Sequence, residues 1–164
     1  NRSILADPRR PEMKDILNER IKHRENFRPF APAVPEEKAH EYFEMDCLTS
    51  PFMIQVFSVK PEKRSFIPAV THVDGSARVQ TVSKVIQPLF WDLLMKFGAT
   101  SGHPILLNTS FNENEPIVCT PQDAMNCFLK TKMDILVIGN YYVRKELRRK
   151  DLVGSIIESA RINP

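Results

Sequence analysis

Three short stretches of this chain hold side chains able to grip a small anion. In His103-Pro104-Ile105-Leu106-Leu107-Asn108-Thr109-Ser110-Phe111-Asn112 an apolar run ends in Asn108, Thr109, Ser110 and Asn112. Buried strands that shed polar groups at their carboxyl end are where α/β proteins commonly place ligands. The segment Ile21-Lys22-His23-Arg24-Glu25-Asn26-Phe27-Arg28-Pro29-Phe30 supplies Lys22, Arg24 and Arg28. The segment His72-Val73-Asp74-Gly75-Ser76-Ala77-Arg78-Val79-Gln80 supplies His72 and Arg78 around one Gly turn. Cations, neutral donors and a tight turn suit a phosphorylated, anionic small molecule.

Each group also has an ordinary structural explanation. If the first cationic segment is extended, Lys22 and Arg24 project to one face; as the frayed end of a helix they diverge, and only Arg20 and Arg24 align. In one reading Lys22 with Arg24 or Arg28 grips phosphate oxygens, Arg through its planar fork. In the other, which is the commoner arrangement, cations at a helix C-terminus simply stabilise its dipole. Asp74-Gly75 is a hairpin signal that needs no function, but it leaves His72 and Arg78 on either side. His72 can donate to a phosphate or act as acid or base near neutral pH, although a lone His is more often structural, and Arg78 is the better ligand. Ser110 and Asn112 fit a turn; Asn108 and Thr109 exceed what a turn requires. There is no Walker-type Gly-Lys-Ser and no Gly-x-Gly-x-x-Gly, so side chains and loop amides would hold any nucleotide. No Ser nucleophile elbow, His-Glu-x-x-His or strong metal motif appears either.

The elements that must position these groups are short. Thirteen prolines against five glycines punctuate the chain. Pro11 to Ile21 reads as a helix with Met13, Ile16, Leu17 and Ile21 at helical spacing. Residues 27–34 should be extended and 35–43 a second short helix with early acids. Phe52 to Val59 and Ala77 to Val82 read as strands. Gln87 to Phe97 is an amphipathic helix closed by Gly98, and Ile105 to Asn108 is a buried strand. Thr120-Pro121-Gln122-Asp123 starts a helix that runs to about Thr131, with Thr as N-cap and Pro at the first position. Ile135 to Ile138, Gly139-Asn140 and Tyr141 to Val143 make a tight hairpin. This mixture is α/β or α+β.

Composition narrows the partners. At 164 residues, 42% hydrophobic and 26% charged, the chain can form one domain with a real core. A formal charge of +3 gives no electrostatic argument for nucleic acid. The basic run Arg144-Lys145-Glu146-Leu147-Arg148-Arg149-Lys150 is broken by an acid and reads as a solvated helix face. Three widely spaced cysteines, Cys47, Cys119 and Cys127, imply neither disulfides nor a metal site and fit a reducing cytoplasm. No signal-type segment or bilayer-length apolar run is present in the sequence. A first residue of Asn1 rather than Met fits a fragment of a longer protein.

Several segments together resemble a known family. Asn-Arg-Ser-Ile-Leu-Ala-Asp-Pro-Arg (1–9), Arg24 to Val34, His72 to Val82, Leu107 to Asn112 and Glu-Pro-Ile-Val-Cys-Thr-Pro-Gln-Asp-Ala from Glu115 resemble the C-terminal region of O-carbamoyltransferases. That family includes nodulation-factor, cephalosporin and aminoglycoside carbamoyltransferases, and the resemblance runs to about Lys145. It implies a YrdC-like domain over 1–145, a twisted mixed sheet flanked by helices, followed by a helical tail over 146–164. It also implies a Lys-x-Arg signature at Lys22-His23-Arg24 and a Ser-x-Asn signature at Ser110-Phe111-Asn112 around a nucleotide pocket. By this resemblance Lys22, Arg78 and Ser110 are catalytic, and Lys22, Arg24, Arg28, His72, Arg78, Asn108, Thr109, Ser110 and Asn112 bind substrate and ATP.

The implied chemistry breaks carbamoyl phosphate to carbamate and phosphate, after which carbamate attacks the α-phosphate of ATP to give carbamoyl adenylate and pyrophosphate. Lys22, Arg24 and Arg78 would neutralise phosphoryl charge, and Ser110 and Asn112 would orient carbamate or phosphate. Mg²⁺ bridging the ATP phosphates is expected without a dedicated carboxylate cage. An upstream actin-like ATPase-class domain, with the acceptor site and metal-binding His residues, would be the partner, and the family's Gly-Pro-Arg-Ala-Leu-Gly segment, with its Arg, would lie just before Asn1. The alternative from another class is a non-catalytic nucleotide- or anion-binding module that stabilises or regulates that partner. Neither nucleic acid nor membrane is an expected partner.

Overall fold

Short elements are what this proline-rich sequence forms in the computed structural model, which describes residues 2–25 and 27–145 and the backbone of 157–161. They fall into two units, 1–18 with 24–110, and 19–23 with 111–164.

In the first unit β1 (Ser3–Ala6) and α1 (Met13–Leu17) come first. The helix expected over 11–21 is α-helical only in α1 and then widens into a π-turn, Asn18–Lys22. His23 follows with φ +44, a left-handed residue that ends the helix. Lys22 and Arg24 are therefore neither on one extended face nor on a frayed α-helix. Then come β2 (Ala31–Pro35), a 3₁₀ turn, α2 (Ala39–Tyr42) and β3 (Phe43–Glu44). The strand expected over 52–59 is only β4 (Val56–Val59). Residues 51–53 turn instead, with Met53 at φ +57 and Phe52 and Ile54 exposed. The strand expected over 77–82 is two, β5 (Ser76–Arg78) and β6 (Gln80–Val82). Buried Val79 breaks it, because its carbonyl takes the Ser50 hydroxyl while Thr81 Oγ1 accepts the Ser50 N–H.

Helix α3 (Pro88–Ser101) passes through Gly98 and ends at left-handed Gly102. Gly98 is not the cap; a Cβ there would lie 2.7 Å from Pro104 Cβ, so its missing side chain admits the returning chain. Strand β7 (Leu106–Ser110) completes the unit. One sheet has the order β1-β7-β2-β6, antiparallel except for the parallel β2–β6 pair, and a second, antiparallel sheet has the order β3-β4-β5. Phe90 and Leu94 of α3 pack on Ala33, Val82 and Leu106 of the first sheet. Burial of such side chains, at about 1.5–3 kcal/mol each, holds the sheet that carries the polar end of β7.

In the second unit α4 (Pro121–Lys130) precedes β8 (Ile135–Ile138), β9 (Tyr141–Lys145) and β10 (Ile157–Arg161), an antiparallel sheet of order β10-β9-β8. Thr120 caps α4 as expected, with its side chain accepting the Asp123 N–H and Asp123 accepting the Thr120 N–H. The expected hairpin is present, with Gly139 at φ +55 in its turn. Residues 146–156 of the expected helical tail lie outside the described residues. Residues 157–161 are strand rather than helix, because pairing with β9 satisfies an edge of backbone groups that a helix would leave open. The fold class is mixed α+β, and among the described residues no helix is long and apolar enough to cross a membrane.

Candidate anion-binding cleft

The first unit holds most of the expected ligands, Arg24, Arg28 and His72 on loops and Arg78, Asn108, Thr109 and Ser110 on strands. Arg24 lies against Phe30, its guanidinium 4.6 Å from the ring centre. Burial and then the positive charges of Arg28 and Arg78 push its pKa down, against a smaller pull from Glu25. A guanidinium stays protonated in proteins, so Arg24 is a partly buried cation with two like charges near it, an environment that an anion would relieve. Arg24 Nε is covered and has no hydrogen-bond partner, and leaving such a donor unpaired costs about 1–3 kcal/mol. Arg28 is exposed and pairs with Glu25 at 3.2 Å. Arg78 is exposed at the end of β5, opposite Val56 of β4.

A cleft of about 420 Å³ lies in the same unit, lined by Lys14, Phe27, Pro29, Ala69, Thr71, His72, Val73 and Asp74. That volume is within the usual range for small-molecule sites, about 300–1,000 Å³. Phe27 and Pro29 flank Arg28 in the chain, and Phe27 and Val73 expose apolar surface. His72 is pushed toward its neutral form by burial and by Arg78 and Lys14, with Asp74 opposing. The 72–76 turn is tied by Gly75 N–H to His72 O and His72 N–H to Ser76 O. Gly75 has φ +82, a left-handed conformation that favours glycine; a Cβ there would meet only the mobile end of Arg64.

The polar run of β7 is divided by its strand geometry. Asn108 and Ser110 share one face and Thr109 takes the other. Asn108 is buried, and its amide donates to Gln80 Oε1 at 2.8 Å. Thr109 and Ser110, both half-buried, lie opposite Ile4 and Ser3 of β1.

Lys22 and Asn112 belong to the second unit, where the structure joins them. Buried Lys22 Nζ donates to Asn112 O at 2.7 Å and to Asn112 Oδ1 at 2.8 Å, while Asn112 Nδ2 donates to Glu115 O. A buried ammonium is tolerable only when hydrogen-bonded in this way. The segment 19–23 is held there by Lys132 N–H to Arg20 O and by the Arg20–Asp134 pair at 2.7 Å.

The family model for the carbamoyltransferase C-terminus matches residues 1–145. The chain belongs to that family. Nodulation protein NolNO of Sinorhizobium fredii and nodulation protein NolO of Bradyrhizobium diazoefficiens are each 51% identical to it over 88% of the chain. The chain spans 22% and 27% of the length of those two relatives. Within this carbamoyltransferase C-terminal region, sequence reasoning passed over Lys14, Phe27 and the Asp74–Ser76 pair behind His72. Phe27 carried a signal, a large aromatic between two polar residues beside Arg28. Lys14 carried none, since its place in the cleft follows from the packing of α1.

Proposed function

We propose that this chain is the substrate-activating part of an ATP-dependent O-carbamoyltransferase, and that the cleft of its first unit takes carbamoyl phosphate and ATP. The observation that carries this reading is a cleft of ligand size lined by Lys14 and His72, in the same unit as Arg24, whose covered Nε has no hydrogen-bond partner, and the exposed Arg28 and Arg78. Phe27, Pro29 and Val73 add an apolar wall, which suits the flat base of a nucleotide, while the cations suit its phosphates.

In this reading water cleaves carbamoyl phosphate to carbamate and phosphate. A carbamate oxygen then attacks the α-phosphorus of ATP, the bond to the β-phosphate bridging oxygen breaks, and pyrophosphate leaves. Carbamoyl adenylate then passes its carbamoyl group to a hydroxyl acceptor on an actin-like domain of the whole protein, releasing AMP. The arginines hold phosphoryl oxygens and stabilise charge that grows during transfer. Mg²⁺ would arrive with the nucleotide and supply further charge neutralisation. Among the described residues no group of three His, Cys, Asp or Glu is placed to hold a cation.

The test is pyrophosphate release from ATP and Mg²⁺ by the 164-residue chain, with and without carbamoyl phosphate, alongside calorimetric titration of both ligands. Release that depends on carbamoyl phosphate is the expected result. Binding without release reduces the reading to a binding module that serves its partner domain, and no binding of either ligand overturns it.

A further inference from the structure

Helix α3 is apolar on two faces, and the first sheet uses one of them. Phe90 and Leu94 pack on that sheet with Phe97 beside them. Leu89 and Leu93 point away, Leu89 being 85% exposed and Leu93 half-exposed. Val85 and Ile86, in the turn that enters the helix, are exposed as well, Val85 at 91%. A run of apolar surface of this kind marks a contact with another molecule.

At about 100° per residue, Leu89, Leu93 and Lys96 form one stripe along the helix, bordered on the Lys96 side by Asp92. Asp92 and Lys96 are the only charged residues of α3, and both are exposed. They carry opposite signs. Among the described residues neither has an ion-pair partner, although at i and i+4 they lie within each other's reach.

This stripe is self-complementary. Residues on the same flank of two antiparallel helices face each other. With a two-fold axis level with Leu94, Asp92 of each copy meets Lys96 of the other. The two Leu93 residues then lie on either side of the axis, about 3 Å apart along the helix direction. A parallel pairing would instead set Asp92 against Asp92 and Lys96 against Lys96. We propose that the outward face of α3 binds the same face of a second copy of this chain, antiparallel, through Leu89, Leu93 and two reciprocal Asp92–Lys96 ion pairs. The contact is isologous, so it closes at a dimer, and it is independent of the anion-binding reading.

One helix pair makes a small interface, below about 1,200 Å², so the dimer should dissociate on dilution. Sedimentation equilibrium of the 164-residue chain over a range of concentrations should show monomer and dimer in exchange, with the dimer weakened by added salt. Leu93→Ser acts twice in a symmetric dimer and should weaken it about tenfold or more with melting unchanged. Asp92→Lys and Lys96→Asp each set like charges against each other and should each leave a monomer. Mixed together, those two variants should pair, and the double exchange Asp92→Lys with Lys96→Asp should restore the homodimer. Recovery by mixing separates this contact from a folding defect and from unspecific apolar association. A chain that stays monomeric at every concentration overturns the proposal, as does a dimer that survives Leu93→Ser and both charge reversals. Charge-reversed variants that fail to pair when mixed overturn the antiparallel register and the proposal with it.

Discussion

Burial and the like charges of Arg28 and Arg78 push the pKa of Arg24 down, and hydrogen bonds pull that of Glu115 down too. Its own backbone N–H, then Lys130 and the N–H groups of Glu113 and Asn114, draw its pKa down to about 2, against some burial. A folded-state pKa below the unfolded one means that the unfolded chain binds more protons in acid. Glu115 therefore contributes stability above its ordinary value of 4.5, and loses that contribution as pH falls from there to about 2. Its side chain is 36% exposed, so solvent screening limits the contribution to about 1 kcal/mol or less. Denaturant unfolding at pH 7 and pH 3 should show Glu115→Gln less stable than the parent at pH 7 and nearer to it at pH 3; an equal gap at both would refute the assignment. His72 works in the same direction near pH 6, since a ring kept neutral in the folded chain binds a proton more readily once unfolded.

At the level of elements, α4 and α3 are stabilised by details at single positions. Thr120→Ala removes the capping box of α4 and should lower stability by about 0.5–2 kcal/mol in chemical denaturation. Gly98→Ala gains roughly 1 kcal/mol of helix propensity. It also sets a Cβ 2.7 Å from Pro104 Cβ and 2.9 Å from Pro104 Cα, a backbone atom that must shift. Overpacking of that kind costs about 1–3 kcal/mol, so Gly98→Ala should melt at or below the parent, and a clear rise in melting temperature would refute the close approach. Elements governed by local chemistry were legible in the sequence, such as the Thr120 cap, the hairpin around Gly139 and the apolar strand entering Leu106. Elements decided by partners distant in the chain were not. Ser50 breaks the strand at Val79, Pro104 explains Gly98, and Met53 turns back a segment that reads as β. For the site, the arginines and His72 could be picked out by residue type. The contact of His72 with Ser76 and the split of Asn108 from Thr109 required the fold.

Across the whole molecule the candidate ligands divide between two units. Lys22 and Asn112 are bonded to each other in one, and Arg24, Arg28, Arg78 and His72, which lines the cleft, belong to the other. The first unit alone holds these cations and a cleft of about 420 Å³, a volume within the range of small-molecule sites. Family membership covers 1–145, so both units belong to the carbamoyltransferase C-terminal region. The central claim is that this cleft holds carbamoyl phosphate through its arginines. Calorimetric titration of carbamoyl phosphate into the chain and into Arg78→Ala tests it most directly, because Arg78 is exposed and its loss should leave melting unchanged. The account predicts one-to-one binding that weakens about tenfold or more in Arg78→Ala and that weakens with added salt. Equal affinity in the two proteins, or no binding by the unaltered chain, would contradict it.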